Sequence, residues 1–439
     1  MKKYAIFLPA KGNSERVASK NTRLLDGKPL FLHTLEKLLQ LGDDYEVYLD
    51  SECPEIFKMA SHLEGFKPLI RDPALATNAT DGNKLFLNEV FSCNHQVIAQ
   101  HLCTSPFIEN NTIKNCFSKV GQMSQDGSCW DSSFLVRKEK FYMWKNDLPL
   151  YSIDSIPNSA DIESTTVETM GLYVCSREAA LDTERRIGRN PCLIEAKPLE
   201  AVDVNYEEDL EMAQLLAAGK REQERNLLRN LSSLLSSPII SDILDSLGLE
   251  SQIIRGLNQK CRNNAKIFGP AKTMHLRRKS KEDRFDEVYD ALKHYETLVP
   301  GDVICVQNDC QEFAYFGELN ANLAIRSGAI GAVIGGMTRD QEAVCSLGLP
   351  VFAKGITCQD VKNRAVYSSM NNRICIDGVF ISPGDMMFAD NEGTICIPKK
   401  HFKTVLELAK ESIRKEGEII SDIATGINVS ALRAERGDF

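Results

Sequence analysis

Apolar and polar positions along the first half of the chain alternate in the rhythm of strands and helices. Tyr4–Leu8 is a continuous apolar run, as expected of a strand buried on both faces. Further strand patterns at Glu46–Leu49, Gln96–Gln100, Ser133–Val136 and Gly171–Cys175 are interleaved with helical spacing. That spacing predicts helices over Pro29–Leu41, Pro54–His62, Thr80–Phe91, Asn110–Val120 and Tyr206–Ala217. The alternation predicts a mostly parallel sheet covered by helices on both faces.

The charged run Gly219–Arg225 reads as a junction, because the pattern changes beyond it. Helical spacing over Leu231, Leu234, Leu235, Ile239, Ile243 and Leu247 ends at Gly248, and a β-rich, glycine-rich stretch runs from Ile267 to Pro398. Short strands are expected at Val303–Val306, Ala332–Ile334, Val351–Ala353, Ile374–Ile376, Val379–Ile381 and Thr394–Ile397, with a last helix over Phe402–Glu416. The expected domains are therefore residues 1–224 and 225–439.

The 439 residues carry a net charge of −9, so a broad nucleic-acid-binding face is not expected. The 14 cysteines are scattered without C-x-x-C spacing, as for reduced thiols in the cytoplasm. No apolar run reaches membrane-spanning length, so no membrane association is expected.

Candidate chemistry begins where the first strand breaks at Pro9. The loop that follows holds Ala10, Lys11, Gly12, Asn13, Ser14, Arg16, Lys20 and Asn21. Small residues and cations after a buried strand form a natural polyphosphate cradle, although the Walker spacing is missing. Lys11, Asp50 and Thr104 all come just past predicted strand ends, the ligand-binding edge of open α/β sheets. Asp203 and Asn205 are two apart in a β-like piece and so face one side, where Mg²⁺ would find oxygen ligands. Asp209 reads instead as solvating the start of the next helix.

The opening Pro9-Ala10-Lys11-Gly12-Asn13-Ser14, with Lys20-Asn21 and Leu25-Asp26-Gly27-Lys28-Pro29-Leu30, resembles the sugar-acid cytidylyltransferases. Arg71-Asp72-Pro73, Thr104-Ser105-Pro106 and Asp203-Val204-Asn205 extend the resemblance over residues 4–217. It implies a Rossmann-like nucleotide-diphospho-sugar transferase fold and attack of an anomeric hydroxyl on the α-phosphate of CTP. Lys11, Arg16 and Lys20 would be catalytic. Ala10, Lys11, Gly12, Asn13, Ser14, Lys20, Asn21 and Arg71 would bind CTP. His101, Thr104 and Ser105 would bind a 2-keto-3-deoxy sugar acid, and Asp203 and Asn205 would bind Mg²⁺ or Mn²⁺. The chain departs from the family's usual residues at Lys11, Glu15, Met170 and Asn205.

In the second half, Glu318 is followed after twenty intervening residues by Arg339-Asp340. An arginine can grip a small carboxylate through two parallel hydrogen bonds, and an aspartate beside it can place a metal. The spacing resembles class II pyruvate aldolases of the 4-hydroxy-4-methyl-2-oxoglutarate type, whose fold is shared by the RraA regulators. The resemblance takes in residues 232–400, including Phe268-Gly269-Pro270-Ala271 and Ser382-Pro383-Gly384-Asp385. It implies a swivelling β/β/α-type α/β domain and assembly into trimers or hexamers, with a dimer contact through the first domain as a further expectation. Glu318, Leu319, Asn320 and Arg339 would bind pyruvate or a related keto acid, Arg339 catalytically, and Asp340 would hold Mg²⁺ or Mn²⁺. The leading expectation is a bifunctional enzyme that makes or cleaves a keto sugar acid and charges it with CMP. The alternative is a CMP-sugar synthetase whose second domain only assembles the protein or binds a partner.

Overall fold

The structure is a computed structural model and describes residues 2–12, 19–77, 80–124, 127–259 and 265–437. The expected site residues Asn13, Ser14 and Arg16, and the departure Glu15, lie outside the described residues. The chain divides into two compact units, Met1–Ala217 and Ala218–Phe439.

In the first unit seven strands form one sheet. They are β1 (Tyr4–Pro9), β2 (Tyr45–Ser51), β3 (Phe66–Ile70), β4 (Val97–His101), β5 (Ser132–Glu139), β6 (Thr165–Ser176) and β7 (Pro191–Glu195). Their order is β3-β2-β1-β4-β6-β5-β7, and β6 runs antiparallel to both its neighbours. The apolar run of β1 follows from burial on both faces. Ile6 and Leu8 pack with Phe31 and Leu35 of α1 (Leu30–Leu38). Ala5 and Phe7 pack with Phe86 and Val90 of α2 (Gly82–Phe91) on the other face. After β1 the strand order turns outward in both directions, to β2 and to β4. The crevice beyond these strand ends is therefore a topological switch point, where open α/β sheets hold ligands.

The edge strands β3 and β7 were not expected from the pattern, being short and exposed at alternate or outer positions. The charged run expected as the junction lies just past the division at Ala217/Ala218, but it is helical: α3 (Glu207–Ser232) runs for 26 residues through it, because Gly219 is surrounded by strong helix formers.

The second unit is layered. The long strand β8 (Ile267–Arg278) pairs in parallel with β9 (Val303–Asn308), which pairs with β10 (Gly331–Thr338) and then β11 (Val351–Ile356). The start of β8 pairs antiparallel with Met386–Ala389, so one strand serves both sheet regions. Helices α4 (Glu318–Arg326) and α5 (Gln341–Leu347) cover one face, where Ala321, Ala324 and Val344 meet Ile304, Val306 and Ile334. The hairpin Ile374–Ile376/Val379–Ile381 covers the other, against Val303, Cys305 and Val333. This is the expected β/β/α layering. The last long helix is Phe402–Ala424, extending beyond its expected end because its charged face needs no burial.

Two histidines, His101 and His294, are sealed into these cores, and a third, His33, is half-buried. Burial, with Lys37 nearby, pulls His101 down to about 3; burial, with Lys272 nearby, does the same to His294; burial brings His33 to about 4. An unfolded histidine titrates near about 6.5, so below that pH the unfolded chain takes up protons that the folded chain refuses. Stability conferred by the neutral rings is present above about pH 6.5 and falls as the pH drops toward the folded values. Urea unfolding at pH 5 is expected to show about 2 kcal/mol less stability per ring than at pH 7. Midpoints unchanged between the two would contradict this burial.

Candidate active sites

At the switch point of the first unit, three separate segments are tied together. Lys20 Nζ donates to the Val204 carbonyl at 2.9 Å, and the Val204 N–H donates to the Thr104 carbonyl at 2.8 Å. Asp203 accepts from Ser105 Oγ at 3.3 Å and from Asn205 Nδ2 at 2.6 Å. Lys20, Thr104, Ser105, Asp203 and Asn205 thus lie together, although 184 residues separate Lys20 from Val204. Asp209 accepts from the N–H groups of Asn205 and Tyr206, both at 2.8 Å, so it caps the following helix and fixes this segment.

Other expected site residues belong to the scaffold. Ala10 is fully buried and its N–H bonds the Asp50 carbonyl at 2.8 Å. Asn21 is buried, donating to the Lys11 carbonyl at 2.8 Å and accepting from the Cys103 thiol at 3.0 Å. These two clamp the loop and are not offered to CTP. Gly12 fits because a Cβ there would lie 2.5 Å from Cys53 Cβ, and its N–H donates to Glu52 Oε1 at 2.7 Å. His101 is fully buried, with Nδ1 3.0 Å from the Leu102 carbonyl, so a sugar acid does not reach it.

Arg71 corrects the sequence reading most clearly. Its guanidinium is buried and grips Asp50 through Nε at 3.0 Å and Nη2 at 2.9 Å, with Nη2 also on the Asp50 carbonyl. Asp50 lies inside β2, not beyond it. Burial and the neighbouring Asp50 charge push Glu89 well above the usual carboxylate range, and Glu89 accepts from Gln100 at 2.8 Å. Arg71 also lies 3.9 Å from Glu52, the residue that holds Gly12. It is a positioning residue behind the loop. Arg71→Ala is expected to lower stability by about 3–5 kcal/mol by leaving a buried carboxylate unpaired. Chemical denaturation measures this; a loss below about 1 kcal/mol would return Arg71 to a role outside the scaffold.

In the second unit, β10 delivers Arg339 and Asp340 beside the first turn of α4. Asp340 adopts the left-handed conformation at φ 54° and still accepts the Val344 N–H at 3.0 Å, which starts α5. Its Oδ2 accepts from the Glu318 N–H at 3.2 Å and lies 3.4 Å from Arg339 Nε. Leu319 and Asn320 supply further N–H groups at this helix end, where the chain offers donors and a positive dipole to an anion. Arg339 and Asp340 remain partly exposed. Glu318, Arg339 and Asp340 therefore meet, while Leu319 is exposed and Asn320 donates its amide to the Tyr315 carbonyl at 2.6 Å.

Sequence reasoning missed Asp360, whose Oδ2 lies 2.5 Å from Arg339 Nη1. No motif marks it, and its approach depends on a bridge between Ala314 and Asp360 that only the fold creates. Among the described residues no group of three or more histidines, cysteines and acids is arranged as a metal cage. Asp203 and Asp340 still fit an ion of the Mg²⁺ type, which is commonly held by one or two carboxylates with ligand oxygens and water. No helix among the described residues is long and apolar enough to cross a membrane.

The geometry defines a two-module α/β protein whose candidate residues gather at one place in each module. The Cytidylyltransferase family profile matches residues 5–163, and the Aldolase/RraA profile matches residues 237–396. Protein DlpA of Legionella pneumophila is 33% identical over 218 residues, 49% of this chain and 34% of that protein, so the match spans about a third of its length. A protein of Halalkalibacterium halodurans provisionally assigned as a 4-hydroxy-4-methyl-2-oxoglutarate aldolase is 32% identical over 44% of this chain and 87% of its own. The pseudaminic acid cytidylyltransferase of Campylobacter jejuni is 25% identical over 48% of this chain and 94% of its own. The chain belongs to the Aldolase/RraA family through its second module, while its first module is similar to cytidylyltransferases over residues 5–163.

Proposed function

We propose that the first module transfers CMP from CTP to a 2-keto-3-deoxy sugar acid, and that the second cleaves or forms such an acid by aldol chemistry on a pyruvate unit. The convergence of Lys20, Thr104, Ser105 and Asp203 at the switch point carries the first half of this reading. The acidic sugar named for the Campylobacter relative supports the substrate class.

In transfer, the anomeric oxygen of the sugar acid forms a bond to the α-phosphorus as the bond to pyrophosphate breaks. Lys11 and Lys20 would offset charge on the triphosphate, and Thr104 and Ser105 would orient the acceptor. Asp203, with Asn205 beside it, would hold Mg²⁺, which supplies charge neutralisation and alignment of the phosphates. In the second module Arg339 and the α4 N-terminus would hold the keto acid's carboxylate and carbonyl oxygen. Asp340 would hold a Mg²⁺ or Mn²⁺ ion that polarises the carbonyl.

The direct assay supplies the full chain with CTP, Mg²⁺ and either pseudaminic acid or 3-deoxy-octulosonate. Sugar-dependent pyrophosphate release is expected; release independent of any sugar acid would remove the transferase reading. A second reading, a non-catalytic second module, is favoured by the Asp360 carboxylate already resting on Arg339. Absence of pyruvate release from keto sugar acids, with CMP transfer intact, would select it.

A further inference from the structure

Arg339 is the cation of the second cradle, and it faces two carboxylates. Asp360 Oδ2 lies 2.5 Å from Nη1, and Asp340 Oδ2 lies 3.4 Å from Nε. One guanidinium against two carboxylates leaves a local charge of −1 before any ion is held at Asp340, and Asp360 keeps its own negative charge beside the fork when one is. We infer that Asp360 determines specificity at this site, admitting 2-keto acids with a single carboxylate and rejecting those with a second. This rests on the keto-acid reading of the Arg339 cradle.

Asp360 is not a loose surface acid that swings aside when a ligand arrives. Its Oδ1 accepts the Lys362 N–H at 2.6 Å, and its carbonyl accepts Arg364 Nη1 at 2.7 Å. Its neighbours are pinned as well. The Ala314 N–H donates to the Gln359 carbonyl at 2.8 Å, the Val361 N–H donates to the Ala314 carbonyl at 3.0 Å, and the Val361 side chain is buried in the core. Ala314 begins the short strand Ala314–Phe316, which runs directly into Gly317 and α4. The Asp360 carboxylate is therefore built into the same rigid frame as the donors of the cradle. It holds Nη1 of the arginine fork while Asp340 stands 3.4 Å from Nε, so an incoming carboxylate meets the guanidinium between two acids.

A ligand with one carboxylate meets the guanidinium between Asp340 and Asp360 and the N–H groups at the start of α4. A second carboxylate on the same small ligand enters a space already fronted by Asp360, and like charges a few ångströms apart in a partly excluded site repel strongly. Both Arg339 and Asp360 are about one-third exposed, at 34% and 33%, so the repulsion is only partly screened. The segment linking Thr338 to Asp360 is held at its base by the Thr357 N–H on the Thr338 carbonyl at 2.9 Å, which limits relief by movement.

The test uses two five-carbon acids of equal length, 2-oxovalerate with one carboxylate and 2-oxoglutarate with two. Calorimetry on the full chain with Mg²⁺ compares wild type, Asp360→Asn, Asp360→Ser and Arg339→Ala. Wild type is expected to prefer 2-oxovalerate, and both Asp360 variants are expected to raise the 2-oxoglutarate to 2-oxovalerate affinity ratio about tenfold, the scale of one near-surface charge contact. A ratio unchanged in both Asp360 variants, with binding lost in Arg339→Ala, overturns the Asp360 assignment and leaves the cradle standing. Binding unchanged in Arg339→Ala, or no binding of either acid by wild type, overturns the cradle and the Asp360 assignment together. Thermal melts confirm that each variant is folded before affinities are compared.

Discussion

Gly317→Ala is expected to reduce pyruvate-forming activity of the second module by at least about 100-fold while CMP transfer continues. The position does not need glycine for its backbone angles, since φ is −149° and extended. Space is the constraint. A Cβ on Gly317 would lie 2.5 Å from Asp340 Oδ2, 3.0 Å from Arg339 Cγ and 3.2 Å from Arg339 Nε. Something must shift, and the Asp340 carboxylate, nearest the new Cβ, must turn away from the Glu318 N–H and from Arg339 Nε. A displacement of about 1 Å at a positioning group costs about 100-fold. Because this cradle lies at the surface of the unit, the melting temperature is expected to move little. Pyruvate release, read beside 2-oxovalerate binding, checks the result. A variant that binds and cleaves as wild type would show that Arg339 and Asp340 do not act as one unit.

The two modules were legible in the sequence for different physical reasons. In the first, β1 announced itself because both of its faces are buried and no polar residue interrupts Tyr4–Leu8. Edge strands β3 and β7 carry no such signal, since each has one neighbour and outward-facing positions that tolerate any residue. The charged run near Gly219 read as the domain junction, and the units do divide beside it, but composition did not show that it is helical, because a solvated helix face and a solvated loop share a composition. In the second, Glu318, Arg339 and Asp340 were legible as a spacing, and α4 followed by β10, whose end returns to α4's first turn, explains why that spacing closes on itself.

Side-chain destination was the part that local sequence did not carry. Arg71 and Asp50 are 21 residues apart and meet only because β2 and β3 are adjacent strands. A basic residue next to a strand therefore reads as a ligand contact until its buried acidic partner is known. His101 was similarly ambiguous: a strand-end histidine faces either the crevice or the helices, and here it faces inward. Asp360 lies outside every recognisable spacing, and its importance arises from a backbone bridge to Ala314. Burial and long-range pairing thus decide between scaffold and site, while residue type alone proposes both.

Lys20→Ala is expected to lower the rate of CMP transfer by about 100- to 1,000-fold, the range found when a preorganised donor to a developing charge is removed. The lysine has a double position. Its ammonium reaches the Val204 carbonyl at 2.9 Å, so it stands between the loop after β1 and the segment carrying Asp203. Its charge also favours the thiolate of Cys103, although burial dominates and pushes that thiol up to about 12, placing the ammonium's field at the end of β4. Removing the ammonium therefore takes away positive charge facing the triphosphate and the tie that holds residues 203–205 at the crevice. The first loss lowers kcat; the second raises KM for the sugar acid, because Ser105 and Asp203 share that segment's register. Lys20→Arg restores charge but not the compact ammonium geometry, and a partial recovery is expected. Steady-state pyrophosphate release, with CTP and sugar acid varied separately, resolves the two contributions. Activity of Lys20→Ala within about threefold of wild type would mean that the loop after β1 does not carry the phosphates, and the transfer chemistry would have to be sought at another edge of the sheet.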